Sequence, residues 1–147
     1  MGKPYSSELA QLGDTYRWAL TADLNGLDRA ISHVAPHCLL AVGSGGSLSV
    51  AEFAVGLHEI FSGRMAKTAT PMAIGASPLP MFDLALLFLS AGGRNPDILG
   101  AFQRALLREP RHVCVLTGTP GSQLALRAAD FEWVNTVAYQ FPFGNDG

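Results

Sequence analysis

Charge is what this chain has least of. Charged residues make up 15% of its 147 positions, and the lysines are Lys3 and Lys67 alone. The eight arginines are scattered and the formal net charge is −2. No basic stripe exists to neutralise a phosphate backbone, so nucleic acid is not an expected partner. Cysteine is also scarce. Cys38 and Cys114 each sit inside an apolar run, with no CxxC and no Cys/His cluster beside them. That argues against a zinc site and for two reduced, buried thiols. No metal and no cofactor is expected. Long hydrophobic runs are missing as well. The longest, "MFDLALLFLSA", is broken by Asp83 and is too short to cross a bilayer, and the N-terminus has no signal-like apolar segment. A chain without membrane contact, placed in the cytoplasm, is the expectation.

Apolar residues are plentiful, at 48%. That proportion suits a domain whose sheet is buried on both faces, or one that covers part of its surface with a partner. The order of segments is the informative part. Residues 15–34 carry Tyr16, Ala19, Leu20, Leu24, Leu27, Ile31 and Val34 at helical spacing and predict a leading helix, with a break near Gly26. "CLLAV" predicts a strand buried on both sides. A helix follows, capped by Ser47 and stopped by Gly63, with Leu48, Ala51, Val55 and Ile60 as its packing stripe. "RMAKTAT" is a short strand, and "PMAIGASPLP" reads as a loop. "FDLALLFLSA" is a second buried strand. Pro96 then opens a helix that stops before Pro110. "HVCVLTG", a short helix in "GSQLALRAAD", and a strand in "FEWVNT" or "TVAYQF" complete the series. Alternating strands and helices predict a doubly wound, three-layer αβα sandwich on a mainly parallel five-stranded sheet. Ligands of such sheets bind beyond the carboxyl ends of the strands.

Two glycine loops fall at that edge. In Gly43-Ser44-Gly45-Gly46-Ser47, the glycines admit close backbone approach and the helix that follows offers unpaired amides. Neither the P-loop nor GxGxxG is present, since no Gly-Lys-Ser/Thr follows and Leu48 stands where the last glycine would be. The second loop holds Ser90, Gly92, Gly93, Arg94 and Asn95. Asn95 before Pro96 is a natural helix cap. Arg94 opposes the dipole at a helix start, and a bound anion would relieve that.

Strand–"GSGGS"–helix followed by strand–"SAGGRN"–helix resembles the sugar isomerase, or SIS, domain family, from about Ile31 to Phe143. The resemblance implies a flavodoxin-like sheet and a phosphorylated sugar as ligand. It carries a phosphate-binding role to Ser44, Gly45, Gly46, Ser47 and Ser90, and extends it to Gly92, Gly93, Arg94 and Asn95. The family's second loop resembles Ser-x-Ser-Gly-x-Ser/Thr. Here Gly92 and Asn95 replace two of the hydroxyl residues, so two side-chain donors are lost. The metal-binding His and Glu of the phosphoheptose isomerase branch correspond to Phe53 and Leu57, which cannot ligate.

Aldose–ketose isomerisation needs an acid–base group beside the sugar carbons. Glu52 is the only candidate near the loops. His58 and Glu59 lie too far along the helix, and His33, His37 and His112 lie at the wrong end of the sheet. The chain is expected to be one SIS-type domain, residues 1–147 with its core at 38–143, belonging to a longer protein or a homodimer. A second SIS domain or a second copy would complete the site. The function this implies is one half of a sugar-phosphate (aldose–ketose) isomerase or of a related phosphosugar-converting protein. Its rival is a non-catalytic phosphosugar-sensing or assembly module, and a third reading has the loops hold a nucleotide phosphate.

Overall fold

A computed structural model describes residues 5–78 and 80–142. The elements run α1 (Tyr5–Thr21), α2 (Asn25–Val34), β1 (Cys38–Val42), α3 (Gly46–Ser62), β2 (Ala66–Ala69), α4 (Pro71–Ala76), β3 (Leu84–Ser90), α5 (Pro96–Leu106), β4 (His112–Thr117), α6 (Gln123–Ala129) and β5 (Val134–Ala138). The five strands form one parallel sheet in the order β2-β1-β3-β4-β5. This is the doubly wound arrangement, and its strand order reverses between β1 and β3.

Alternation along the strands separates two apolar layers. Val42, Leu86, Phe88, Val113 and Val115 pack with Ile74 of α4, with Ile98, Leu99, Phe102 and Ala105 of α5, and with Leu124 and Ala128 of α6. On the opposite face Leu39, Ala85 and Cys114 meet Ala30 and Val34 of α2. Ala41 and Leu89 meet Ala51 and Val55 of α3. Burial pushes the Cys114 thiol up to about 12, as its place in a central strand requires. Among the described residues no helix is long and apolar enough to cross a membrane.

Four local expectations change. The leading helix is two helices, separated at residues 22–24 rather than near Gly26. The cause is Asp23, whose carboxylate accepts from the Asn25 amide at 2.9 Å and starts α2 afresh. The stretch after Thr70 is a helix where a loop was expected. Thr70 caps it by accepting from the Ala73 amide at 3.2 Å, and Pro71 occupies the first turn. Proline breaks a helix only in its interior. The cap of α3 is Gly45 with no side-chain hydrogen bond, and Ser47 lies inside the helix. Finally, Tyr16, Leu20, Leu24, Ile31 and Ile60 point outward. Gly63 does end α3, in the left-handed conformation at φ 66°. The last strand straddles the two segments proposed for it.

Candidate functional site

The carboxyl ends of β1 and β3 are adjacent, with Val42 opposite Phe88, about 4.8 Å apart across the ladder. The two glycine loops therefore meet at the switch point. Gly43 permits the first one. A side chain there would put its Cβ 2.5 Å from the Ser47 carbonyl oxygen and 3.0 Å from the Leu48 nitrogen. Backbone cannot yield at that distance, so only glycine fits. The chain then turns through Gly45 at φ 55°. The Ser47 and Leu48 amides close the turn on the carbonyls of Ser44 and Gly45, at 3.1 and 3.0 Å. Among the described residues the amides of Gly45 and Gly46 donate to no carbonyl. Ser44 is exposed and Ser47 half-buried. The result is a set of amide and hydroxyl donors at the start of a 17-residue helix.

The second loop is braced from outside itself. Ser90 Oγ accepts from the Gly93 amide at 3.0 Å. Gly93 is buried at φ 58°, and a Cβ there would collide with the Ser122 hydroxyl and lie 2.6 Å from its Cβ. The Leu124 amide donates to the Gly93 carbonyl at 2.8 Å. Thr117 Oγ1, Thr119 Oγ1 and the Gly118 amide all donate to the Ala91 carbonyl, at 3.3, 3.0 and 3.1 Å. Thr117, Thr119 and Ser122 thus hold the loop in place, and sequence reasoning missed them. The signal available was Ser122 ahead of "QLALRAA", which caps α6 through the Ala125 amide. Asn95 is the cap of α5, accepting from the Asp97 amide at 2.8 Å. Its remaining donor is its side-chain NH2. Arg94 is exposed and its stem runs beside Gly92. A groove of about 410 Å³ between α4 and α5 reaches Pro96 and Asp97, next to this loop.

The titratable candidates divide by position. Glu52 is exposed on α3, about 9 Å along the helix from its start. His58 Nε2 lies 2.9 Å from the His37 carbonyl, and Glu59 accepts from the Ala66 amide at 3.2 Å. Both are engaged at the amino edge of the sheet, away from the loops. That edge also gathers His33, His37 and His112, with ring centroids 5.8 and 4.9 Å from His112. Partial burial, then His37, His33 and Arg111, hold the His112 pKa below its ordinary value. Among the described residues no group of three or more His, Cys, Asp or Glu is arranged to hold a metal. Phe53 and Leu57 are on the outer face of α3.

The fold has relatives among solved structures. A proposed sugar-phosphate isomerase from Listeria monocytogenes superposes with a TM-score of 0.65 at 19% identity, over 97% of this chain and 80% of that one. The fold is shared with phosphosugar isomerases. Tagatose-6-phosphate ketose/aldose isomerase from Escherichia coli matches at 0.61 and 18% identity, over 88% of this chain and 35% of that one. The Vibrio vulnificus NanR protein, complexed with ManNAc-6P, matches at 0.60 and 21% identity, over 90% of this chain and 48% of that one. The chain thus spans less than half the length of the last two. No family model matches it. No curated protein matches it in sequence.

Proposed function

We propose that the chain is a phosphosugar-binding domain of the SIS type, and that it acts as one half of a sugar-phosphate isomerase. The observation that carries this is the meeting of two glycine loops at the switch point, each opening a helix, with the Gly45 and Gly46 amides directed at no carbonyl among the described residues. In this reading the phosphate sits on those amides and on the Ser44, Ser47 and Ser90 hydroxyls. Ser90 both braces its loop and turns its proton toward the ligand. The Gly92 and Gly93 backbone shapes the second wall. Arg94 adds charge, and Asn95 contributes its side-chain NH2 while capping α5. Glu52 is the proton acceptor nearest the sugar. The group that works with it comes from outside the described residues, from a second copy or a second domain of the same kind. The cytoplasm, where sugar phosphates are made and used, is the proposed location.

The absence of an acid–base pair beside the loops among the described residues favours a second reading. In it the domain binds the phosphosugar without converting it, as a sensing or assembly module. Thermal stabilisation by a panel of sugar phosphates, with free sugars, nucleotides and inorganic phosphate as controls, tests the shared part. A ligand at about 100 times its Kd should add roughly 2.7 kcal/mol. Ser44→Ala and Ser90→Ala should remove that gain. Stabilisation by nucleotides alone would replace the sugar with a nucleotide. Loss of deuterium from C2 of a labelled aldose phosphate separates the enzyme from the sensor, because only isomerisation moves that proton.

A further inference from the structure

The two edges of the sheet are built differently. β2, at one edge, is blunted. It has four residues with Lys67 among them, Glu59 takes the Ala66 amide at 3.2 Å, and Pro71 begins α4 just after it. Shortness, charge and covered amides are how edge strands avoid further pairing. β5, at the other edge, has none of these. From Trp133 to Phe141 the chain carries no charge, no proline and no glycine. The Tyr139 amide donates to the Thr117 carbonyl at 2.9 Å, which fixes the parity of the strand. Asn135, Val137 and Tyr139 turn their backbone groups to β4, and Thr136 and Ala138 turn theirs away. Both are exposed, and among the described residues nothing pairs with their amides or carbonyls. A cavity of about 450 Å³ runs beside this open edge. Its second wall is α2, where a Cβ on Gly26 would come 4.0 Å from Val137 Cγ1. Trp18 stands at one end, edge-on to Tyr139 at 6.0 Å, and the Tyr139 hydroxyl donates to the Asp23 carbonyl at 3.0 Å. Opposite charges line the cavity. Asp23 lies at its carboxyl end, beside Tyr139. Arg29 lies one turn beyond Gly26, about 4.5 Å nearer the amino edge. It is exposed and joined to no carboxylate among the described residues.

We propose that this edge is a docking site for an extended peptide segment of another protein, added antiparallel to β5 as a further strand of the sheet. The occupant follows from what the groove offers. Amides and carbonyls in strict alternation match another main chain, whose hydrogen bonds supply affinity while pockets for alternate side chains supply specificity. Antiparallel pairing is the stronger kind. Peptide residues opposite Thr136 and Ala138 exchange both backbone bonds with them. The residue between, opposite Val137, sends its side chain to the α2 face of the sheet, where Val137 and Tyr139 already point. There it meets the space left by Ala22 and Gly26 beside Trp18, which suits an apolar side chain. Two residues further along the peptide, toward the amino edge, the next side chain on that face meets Arg29 and is acidic. Two residues earlier the side chain meets Asp23 and is basic. The matching segment therefore reads basic-x-apolar-x-acidic, and its charges fix its direction as well as its register. β5 lies two strand spacings from β3, about 10 Å, so this surface is separate from the glycine loops and stands without the phosphosugar reading.

The test uses the full chain and a fluorescein-labelled peptide, Thr-Lys-Thr-Leu-Thr-Asp-Thr-amide, followed by anisotropy. Saturable binding is the expected result. N-methylation of the two threonines that flank leucine removes the donors facing Ala138 and Thr136 and keeps every side chain. It should weaken binding about tenfold or more. Interchanging the lysine and aspartate of the peptide should weaken it about tenfold. Arg29→Glu should do the same to the original peptide, and a peptide with lysine in place of aspartate should restore the loss. Thr136→Pro removes an outward amide and leaves the ladder to β4 whole, as an edge strand allows, and should abolish binding. A dissociation constant above about 1 mM for the original peptide overturns the proposal. Undiminished binding of the N-methylated peptide, or by Thr136→Pro, overturns it too. So does self-association of the chain that Thr136→Pro removes, which would give the edge to a second copy. Arg29→Glu with its matched peptide decides the matter should Thr136→Pro fail to fold.

Discussion

Helices α3 and α5 both follow a glycine loop and both open at the carboxyl edge of the sheet, but they place their apolar residues oppositely. α5 is the shorter, with 11 residues, and it buries five of them: Ile98, Leu99, Ala101, Phe102 and Ala105. α3 has 17 residues and buries Ala51 alone. The loops differ in the same sense. The one before α5 is tied to β4 and α6 by the Ala91 and Gly93 carbonyls and has a side-chain cap. The one before α3 is tied to β2 at its first residue, where the Gly43 amide donates to the Ala69 carbonyl at 3.1 Å; beyond that it is closed by its own backbone and has no side-chain cap. One half of the carboxyl edge is therefore finished within the chain. The other half keeps undirected donors and an uncovered helix, which is where the proposed ligand falls.

The comparison can be broken most strongly at the aromatic centre of α5. Phe102 is fully buried and packs edge-on against Phe88 at 5.5 Å. Phe102→Ala should cost about 3–5 kcal/mol in denaturant unfolding. Phe53→Ala, on the outer face of α3, should leave the stability of the monomer near its wild-type value. Equal losses at the two positions would erase the distinction. Next come the loops. Gly93→Ala forces a side chain into the left-handed region and against Ser122, and should cost about 1–3 kcal/mol or more. Gly46→Ala meets nothing within 4 Å and should fold as well as wild type. A smaller effect is expected at the cap: Asn95→Ala should lose about 1 kcal/mol if capping is what Asn95 does for the fold. The same variant tested for sugar-phosphate stabilisation shows whether its side-chain NH2 serves the ligand as well.

The smallest effect lies at the amino edge. Since the His112 pKa is lowered on folding, the unfolded chain takes up the proton first. The associated stability is present above the ordinary value of about 6.5 and is lost as pH falls through the folded pKa. A modest decline in melting temperature below pH 6.5, flattened by His112→Asn, is the expected outcome.

Much of the fold could be read from residues. Short continuous apolar runs such as "CLLAV" and "HVCVLT" identify strands buried on both sides, and Gly63 and Asn95 mark helix ends by their own backbone chemistry. Where the reading failed, the deciding partner was elsewhere in the chain or its effect depended on position. Pro71 looks like a breaker until Thr70 caps the turn it begins. Gly26 looks like a break, but Asp23 makes one earlier. Ile60 has helical spacing with Leu48 and Val55, yet its face is turned outward.

The candidate site shows the same division. Its glycines and serines were visible as a pattern, because a strand–glycine–helix junction has local geometric requirements. Thr117, Thr119 and Ser122 were not, because they reach the second loop from the end of β4 and from the turn between β4 and α6, about 26 to 29 residues further along. By itself the sequence determined the alternation of strands and helices, and with it the edge at which the loops gather, since periodicity and turn chemistry act over a few residues. Only the tertiary structure decided which apolar stripes are core and which remain uncovered, because burial depends on which surfaces the packed elements have already occupied.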